Sequence, residues 1–324
     1  MNRRHLLAAA LSAAGVLTPM GQAMAQAKYP AQVIRLIAPY APGGTVDILS
    51  RTLAEQLSRD LGQSVIVENR GGAGGTVGAD VASKAQPDGY TILFGAVHHA
   101  IAQSVYPKLG YDIRELTPVG FLGRVNHAVI VNNALPAKSV AELIPLLKKN
   151  PDKYSYATPG AGTMQHLMTE YFMNVTSTKM GHIPYRGSAP AIVDVMSGNV
   201  HMMFETMPSA LQHIKAGNVR VLAVTSRQRS PHLPDVPTVM ESGAPNYDAT
   251  SWYGIFAPAK TPAHVVDRLN LAINNAFKDK AFSDKWVSLG ADTGGGTPDE
   301  LKKLTLDEVS RWAEVAKKAG ITVQ

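Results

Sequence analysis

Short apolar strands that alternate with loop-and-helix segments are the feature that most constrains this fold. Residues 33–38 form an apolar run rich in β-branched side chains, residues 39–44 break it with prolines and glycines, and residues 46–61 carry leucine at every fourth position from Leu49. This succession predicts a buried strand, a turn and an amphipathic helix. Because parallel strands need a crossover between them, repeated strand–helix units predict an α/β fold with mostly parallel sheets.

The same alternation restarts in the middle of the 324-residue chain, which predicts a second lobe. We place lobe 1 at residues 26–124 plus 249–324 and lobe 2 at residues 125–248, so that the chain crosses twice between the lobes. Ligands of open α/β sheets bind at the carboxyl ends of the strands. Two such lobes that face one another are expected to enclose a binding cleft.

One predicted helix of lobe 2 contains a proline. Ser139-x-x-Glu142 is a capping box, which predicts a helix that begins there and runs to Lys149. Pro145 lies inside this segment and has no N–H group for the helix ladder. We therefore expect the proline to kink or shorten the helix.

The first 25 residues have the features of an export signal. Arg3 and Arg4 precede an apolar run at 6–17, and a small-x-small cleavage pattern follows at 23–25. The apolar run is too short to span a membrane as a helix. The sequence predicts cleavage after Ala25 and a soluble mature chain in the periplasm. The general secretory route and the twin-arginine route both remain open.

Several function classes are excluded by the composition. The chain has no cysteine, which excludes disulfides, thiolate metal sites and a cysteine nucleophile. The net charge of +6 is spread without a long basic run, so we expect no nucleic-acid partner. The glycine-rich segment 70–78 lacks the spacing of a dinucleotide or phosphate loop. We interpret it as a tight strand-to-helix turn near the rim of the cleft, and we predict no cofactor.

Metal-binding and nucleophile motifs are missing as well. His98 and His99 are adjacent, so on a regular element they are expected to point apart, and no histidine pair has metal-ligand spacing. No G-x-S-x-G elbow occurs. We therefore predict no metal site and no catalytic residue, and a protein that is not an enzyme.

Two glycine-containing loops, each between a strand and a helix, form the candidate site. The first is APGGT at 41–45 and the second is TPGAGT at 158–163. Glycine lets the backbone come close to a ligand, and the free N–H groups at a helix start favour an anion. Each loop alone is equally consistent with an ordinary turn. The presence of one loop in each lobe, at matching positions, indicates a carboxylate site.

Four side chains near these loops have two interpretations each. Asp47 either caps the first helix or contacts the ligand, and His166 contacts either the ligand or only the backbone. Glu205 ends an apolar strand and is either a cleft group or a surface group. Arg186 is either a partner for a carboxylate or a solvated turn residue.

Eight segments, in order along the mature chain, carry a family resemblance: IRLIAPYAPGGTVD at 34–47, VENR at 67–70, PDGYT at 87–91, PAKS at 136–139, HIPYRG at 182–187, AGNVR at 216–220, LPDVPT at 233–238 and WYGIFAP at 252–258. Together they resemble the Bordetella uptake gene (Bug) family, the solute receptors of tripartite tricarboxylate transporters. The resemblance extends over nearly the whole mature chain.

The resemblance implies a periplasmic-binding-protein fold of the second type, whose two lobes close on a ligand. It also implies that the loops 41–47 and 158–166 hold a carboxylate through backbone groups and bridging waters. The sequence departs from the common family pattern in the second loop, at Arg186, at Glu205 and at 95–99. The identity of the ligand is therefore not carried over.

The residues and the resemblance together predict a monomeric periplasmic receptor that binds a small organic acid and delivers it to the membrane subunits of a tripartite tricarboxylate transporter. The alternatives are a receptor of the same fold that signals to a membrane sensor, and a secreted hydrolase that uses Glu205, Asp47 or His166. The predicted ligand-binding residues are Ala41, Pro42, Gly43, Gly44, Thr45, Asp47, Gly95, Ala96, Thr158, Gly160, Ala161, Gly162, Thr163, His166, Tyr185, Arg186 and Glu205.

Overall fold

The computed structural model describes residues 29–244, 247 and 249–319. The predicted export signal at 1–25 lies outside the described residues. Two five-stranded sheets form the centres of two lobes, and the chain passes from the first sheet to the second and back. The lobe boundaries at 124/125 and 248/249 stay a prediction.

The first sheet has the strand order β2-β1-β3-β10-β4, and the second has the order β7-β6-β8-β5-β9. The strands are β1 (Ile34–Ala38), β2 (Val65–Asn69), β3 (Thr91–Ala96), β4 (Thr117–Val125), β5 (His127–Val131), β6 (Ser155–Thr158), β7 (Gly181–Pro184), β8 (Met202–Thr206), β9 (Arg220–Val224) and β10 (Ser251–Ala257).

Each sheet is mixed, with one strand reversed. In the first sheet β10 is antiparallel to both of its neighbours, β3 and β4, and in the second sheet β5 is antiparallel to β8 and β9. The other four strands of each sheet point the same way. The prediction of two α/β lobes with mostly parallel strands is therefore confirmed. The reversed strands are the first strand after each crossing between the sheets.

Ten helices cover the sheets in the described part of the chain. They are α1 (Thr45–Leu61), α2 (Thr76–Ser83), α3 (Val97–Val105), α4 (Val140–Lys149), α5 (Met164–Thr176), α6 (Ser188–Ser197), α7 (Met207–Lys215), α8 (Ala263–Lys278), α9 (Lys280–Ser288) and α10 (Pro298–Ala319). None of the described helices is long and apolar enough to cross a membrane.

Local signals explain where several helices begin and what they bury. In α1, Leu49, Leu53 and Leu57 are fully buried, as their four-residue spacing predicts. In α4, the Ser139 hydroxyl accepts a hydrogen bond from the N–H of Glu142 at 3.2 Å. The helix continues through Pro145 to its last residue, Lys149, so the expected shortening does not occur.

The helices that follow the parallel strands place their N-terminal ends between the two lobes. β3 runs directly into α3 at Ala96, and β8 runs directly into α7 at Thr206. β1 and β6 reach α1 and α5 through the two glycine-containing loops, and β7 reaches α6 at Ser188. The fold thus brings several helix starts together at the carboxyl ends of the strands.

Candidate functional site

A narrow cavity of about 30 Å³ lies where the two lobes meet. The first residues or N-caps of α1, α3, α5, α6 and α7 all contribute to its wall. The lining residues are Tyr40, Gly44, Thr45, Val46, Ala96, Val97, His98, Pro159, Met164, Gln165, Ser188, Thr206, Ser251 and Tyr253.

The first glycine loop is held in place by Asp47. The Asp47 carboxylate accepts hydrogen bonds from the N–H of Gly43 at 3.0 Å and the amide of Asn69 at 3.0 Å, and Arg51 pairs with it at 2.8 Å. Burial opposes ionisation of Asp47, but the hydrogen bonds from Arg51, Gly43 and Asn69 outweigh it and lower its pKa. Gly44 and Thr45 line the cavity, whereas the Asp47 carboxylate supports the loop from within lobe 1.

The second glycine loop is stabilised by its own hydroxyl groups. The Thr163 hydroxyl donates to the carbonyl of Gly160 at 2.8 Å, and the Thr158 hydroxyl accepts from the N–H of Gly160 at 3.2 Å. His166 accepts from the N–H of Gly162 at 3.2 Å. Its ring stacks on His182, with 4.1 Å between the ring centroids. The structure therefore places the His166 side chain behind the loop rather than in the cavity wall.

Glu205 lies beside the cavity and is fully buried at the end of β8. Its Oε1 accepts hydrogen bonds from the N–H of Thr206 at 2.8 Å and the hydroxyl of Thr206 at 2.5 Å. Burial raises the pKa of Glu205 to about 7, and the polar groups of Thr206, Ser188 and Gln165 offset this only in part. Glu205 is thus a cleft group rather than a surface group.

A chain of hydroxyl groups links the two lobes beside Glu205. The hydroxyl oxygens of Thr45 in lobe 1 and Thr206 in lobe 2 are 2.5 Å apart. Because the Thr206 hydroxyl donates to Glu205, the Thr45 hydroxyl is the donor to Thr206. Further bonds between the lobes include those from the Tyr106 hydroxyl to the carbonyl of Ala161 at 2.8 Å and from the N–H of Ala41 to the carbonyl of Arg186 at 3.3 Å. The lobes are closed on one another.

Several predicted residues lie outside the cavity wall. The Tyr185 hydroxyl donates to Asp194 at 2.5 Å, and the Arg186 side chain is exposed, so only its carbonyl faces lobe 1. Gly95 packs against Phe256, whose ring atoms would lie 2.5 Å from an added Cβ. Of the seventeen predicted residues, Gly44, Thr45 and Ala96 line the cavity, and Glu205 adjoins it.

The two adjacent histidines do not point apart as expected. His98 and His99 begin α3, and their Nε2 atoms are 3.1 Å from one another. The N–H of Ala96 donates to Nδ1 of His99, and the His99 ring also makes a hydrogen bond with the backbone of Gly75. His98 lines the cavity. Burial lowers the pKa of both rings, that of His99 to about 3, so both are neutral at physiological pH.

Other lining residues were not predicted from the sequence. Ser188 and Thr206 sit at the starts of α6 and α7, so the rule that helix starts hold anions would have found them had those helices been predicted. His98 and Gln165 lie in the first turns of α3 and α5. Among the described residues there is no group of three or more histidine, aspartate or glutamate side chains that could hold a metal ion.

The glycine-rich segment 70–78 forms part of the contact between the lobes. It contains a short 3-10 turn, Ala73–Gly75, that leads into α2. A Cβ added at Gly160 in lobe 2 would lie 3.0 Å from the Cα of Gly74, so the backbones of the two lobes meet closely here. The interpretation of this segment as a turn is consistent with the structure, and the turn packs against the second glycine loop.

The chain is similar in sequence to a known receptor family. The profile of the family described as "Tripartite tricarboxylate transporter family receptor" matches residues 49–321. Protein BugT of Bordetella pertussis is 38% identical over 326 residues, which cover 99% of each chain. A UPF0065 protein of Agrobacterium vitis is 34% identical over 324 residues, which cover 99% of this chain and 92% of the relative.

Solved structures of similar proteins have the same fold. Rpa4515 of R. palustris, solved with adipate, is 36% identical and superposes with a TM-score of 0.88 over 91% of this chain and 99% of the other. The periplasmic binding protein BugD is 36% identical, with a TM-score of 0.88 over 91% and 100%. MatC from Rhodopseudomonas palustris, solved with bound malate, is 29% identical, with a TM-score of 0.85 over 89% and 99%.

Proposed function

The chain belongs to the tripartite tricarboxylate transporter receptor family, and from this premise we propose that it captures a small organic acid between its lobes in the periplasm. The captured acid is delivered to the membrane subunits of a tripartite transporter. The observation that carries the proposal is the convergence of five helix starts from both lobes on one cavity.

The electrostatics of the cavity favour an anion. The N-terminal end of a helix has free N–H groups and a partial positive charge, which stabilise a carboxylate without a basic side chain. Among the described residues that line the cavity, none is lysine or arginine. A carboxylate bound here is held by backbone N–H groups at the starts of α1, α3, α5 and α6.

Two similar structures support an acid as the ligand class. Rpa4515 was solved with adipate and MatC with malate. This chain covers 99% of each of those two chains. Adipate and malate are both small dicarboxylates, so the shared feature is the carboxylate group. We carry over that feature alone to this chain.

We propose capture without covalent chemistry. A hydrolase would need a nucleophile or a general base that faces its substrate. Asp47 is fixed by Gly43, Asn69 and Arg51, and His166 lies behind its loop against His182. Of the three groups that the hydrolase alternative requires, this leaves only Glu205 beside the cavity, where it accepts a hydrogen bond from the Thr206 hydroxyl and has no bonded histidine among the described residues.

A thermal-shift screen of the mature chain, residues 26–324, tests the proposal. The protein is first unfolded, dialysed and refolded to remove any acid retained from expression. It is then mixed with mono-, di- and tricarboxylates, with aromatic acids, and with the amides of the same acids as uncharged controls. At 100 times the dissociation constant, a ligand stabilises the fold by about 2.7 kcal/mol, which is roughly 5 °C or more for a chain of this size.

We expect at least one acid to raise the melting temperature and its amide to leave it unchanged. The Gly44→Val variant is expected to lose the shift, because a side chain there would be placed 3.3 Å or closer to Ser188 across the cavity. A refolded protein that responds to none of the acids would contradict the proposed function.

A further inference from the structure

One oxygen of the Glu205 carboxyl group has an unusual position. The side chain is fully buried, and Oε1 is satisfied by two bonds from Thr206. Oε2 is also buried and makes no hydrogen bond of regular geometry with a described residue, although the Ser188 hydroxyl and the Gln165 amide lie close enough to the carboxyl group to lower its pKa. Buried polar groups in folded proteins nearly always have a partner, so an oxygen of this kind is expected to receive one from elsewhere.

The residues around Glu205 place this oxygen next to the cavity. Ser188, Gln165 and Thr206 all line the cavity and lie beside the carboxyl group. Tyr40 and Tyr253 also line the cavity. Burial is the largest cause of the raised pKa of each tyrosine, and the charge of the nearby Glu205 raises both pKa values further. The Tyr40 hydroxyl already donates to the carbonyl of Gly74 at 2.8 Å, so it is not a donor for Oε2.

The two ends of the cavity therefore differ in the charge that they favour. The starts of α1, α3, α5 and α6 offer backbone N–H groups and attract negative charge. The start of α7 differs, since the N–H of Thr206 is bonded to Glu205, the N–H of Met207 is bonded to the carbonyl of Asn126, and Pro208 has none. This end of the cavity therefore presents an acid instead of free donors.

We propose that the ligand is an organic acid that also carries a hydroxyl or ammonium group, and that Oε2 of Glu205 accepts a hydrogen bond from this donor. The carboxylate of the ligand lies at the starts of α1, α3, α5 and α6, and its donor lies at Glu205. A dicarboxylate of the same length without a donor leaves Oε2 unpaired when the cleft closes. This inference rests on the proposed function and defines the class of acid within it.

Matched series of acids test the inference by isothermal titration calorimetry on the refolded mature chain. Within each series the carbon skeleton is constant and only the donor differs: propionate, lactate and alanine; succinate, malate and aspartate; glutarate, 2-hydroxyglutarate and glutamate. We expect that, in the series that fits the cavity, the hydroxy or amino acid binds roughly 10- to 100-fold more tightly than the parent acid, because a buried acceptor left unpaired is costly. The comparison of hydroxyl with ammonium identifies the donor.

The Glu205→Gln variant shows whether this carboxyl group causes the preference. It keeps the shape of the side chain and replaces one acceptor oxygen with an amide donor, so the preference for the donor-bearing acid is expected to fall at least fivefold. Glu241→Gln, at an exposed position in lobe 2, is the matched control and is expected to keep the wild-type ratio.

The outcomes separate the inference from the function on which it rests. If the parent acids bind the wild-type protein as tightly as their hydroxy and amino derivatives, the inference is overturned and the receptor function stands. If no acid of any series or of the wider screen binds, the proposed function itself is overturned. The wild-type ratios decide the inference even where Glu205→Gln does not fold.

Discussion

Glu205 is a residue whose burial has a measurable consequence for stability. Burial raises its pKa to about 7 in the folded chain, whereas glutamate has an ordinary pKa of 4.5. Between these two values the folded chain keeps a proton that the unfolded chain has released. The free energy of unfolding therefore falls as pH rises from about 4.5 to 7, by an amount on the order of 3 kcal/mol for this group.

The Glu205→Gln variant isolates this effect. Buried histidines act in the opposite direction, because lowered pKa values in the folded chain, such as that of His127 at about 3, make stability rise with pH up to about 6.5. The difference between wild type and variant cancels them. We expect urea unfolding to show that the stability of wild type relative to the variant declines from pH 5 to pH 7.5. Parallel pH profiles would mean that Glu205 is not buried as described.

The side chains at the site were only partly predictable from the sequence. Gly44 and Thr45 were identified because a glycine loop before a helix is a local signal, legible without the rest of the fold. His98 was not predicted to belong to the site, because adjacent histidines on a regular element were expected to point apart. It lies in the first turn of α3, where its ring contacts that of His99. Such a contact depends on where the strand ends and the helix begins, which spacing alone does not define.

At the scale of the element, a helix with local end signals can be predicted from the sequence, whereas a helix without them is easily missed. The last helix opens with Thr297 and Glu300, which exchange hydrogen bonds at 3.2 and 2.7 Å as a capping box predicts. By contrast, α6 begins after Gly187 with no side-chain cap. α3 follows β3 directly, with no turn residues between them. A single, largely apolar segment therefore contains both a strand and a helix. The starts of α3 and α6, which were not predicted, contribute residues to the cavity wall.

The turn at Gly74 links local backbone conformation to closure of the lobes. Gly74 has φ +62°, a conformation that favours glycine, and an added methyl group would lie 2.5 Å from the carbonyl oxygen of Ala161 in lobe 2. Gly74→Ala is therefore expected to hinder closure and to weaken binding of the best acid from the screen by about tenfold or more. Titration calorimetry measures the loss.

Gly62→Ala is the matched control for this variant. Gly62 ends α1 with φ +68°, so alanine suffers similar backbone strain, about 1–2 kcal/mol, but no atom lies within 4 Å of the added methyl group. It is expected to lower the melting temperature while leaving affinity unchanged. Equal affinities for the two variants would show that the contact between Gly74 and Ala161 does not contribute to ligand capture.

At the scale of the whole molecule, the chain crosses twice between two similar lobes, from β4 to β5 and from β9 to β10. The contacts between the closed lobes include the Thr45–Thr206 hydroxyl pair, the Tyr106–Ala161 bond, the Ala41–Arg186 bond and the close packing at Gly74. Each joins a loop or helix start of one lobe to one of the other, around the rim of the cavity. A ligand that bridges both lobes is expected to favour the closed state over an open one.

The absence of cysteine from the whole chain makes this closure directly measurable. Val287 in α9 of lobe 1 and Val193 in α6 of lobe 2 are exposed, so a cysteine at each position accepts a spin label without disturbing the core. In the labelled double variant we expect a broad distribution of distances between the two spin labels when no ligand is present. When the best acid from the screen is added, we expect only the shorter distances to remain, because bound acid stabilises the closed form.

A second labelled pair distinguishes closure from a local change. Val175 in α5 and Val193 in α6 both lie in lobe 2 and are both exposed. Their distance is expected to stay constant when acid is added, since a lobe moves as a rigid unit in hinge closure. Adding Gly74→Ala to the inter-lobe pair is expected to retain the longer distances even with acid present. An inter-lobe distance that does not respond to a bound acid would mean that capture occurs without closure, and that the rim contacts are permanent parts of the fold.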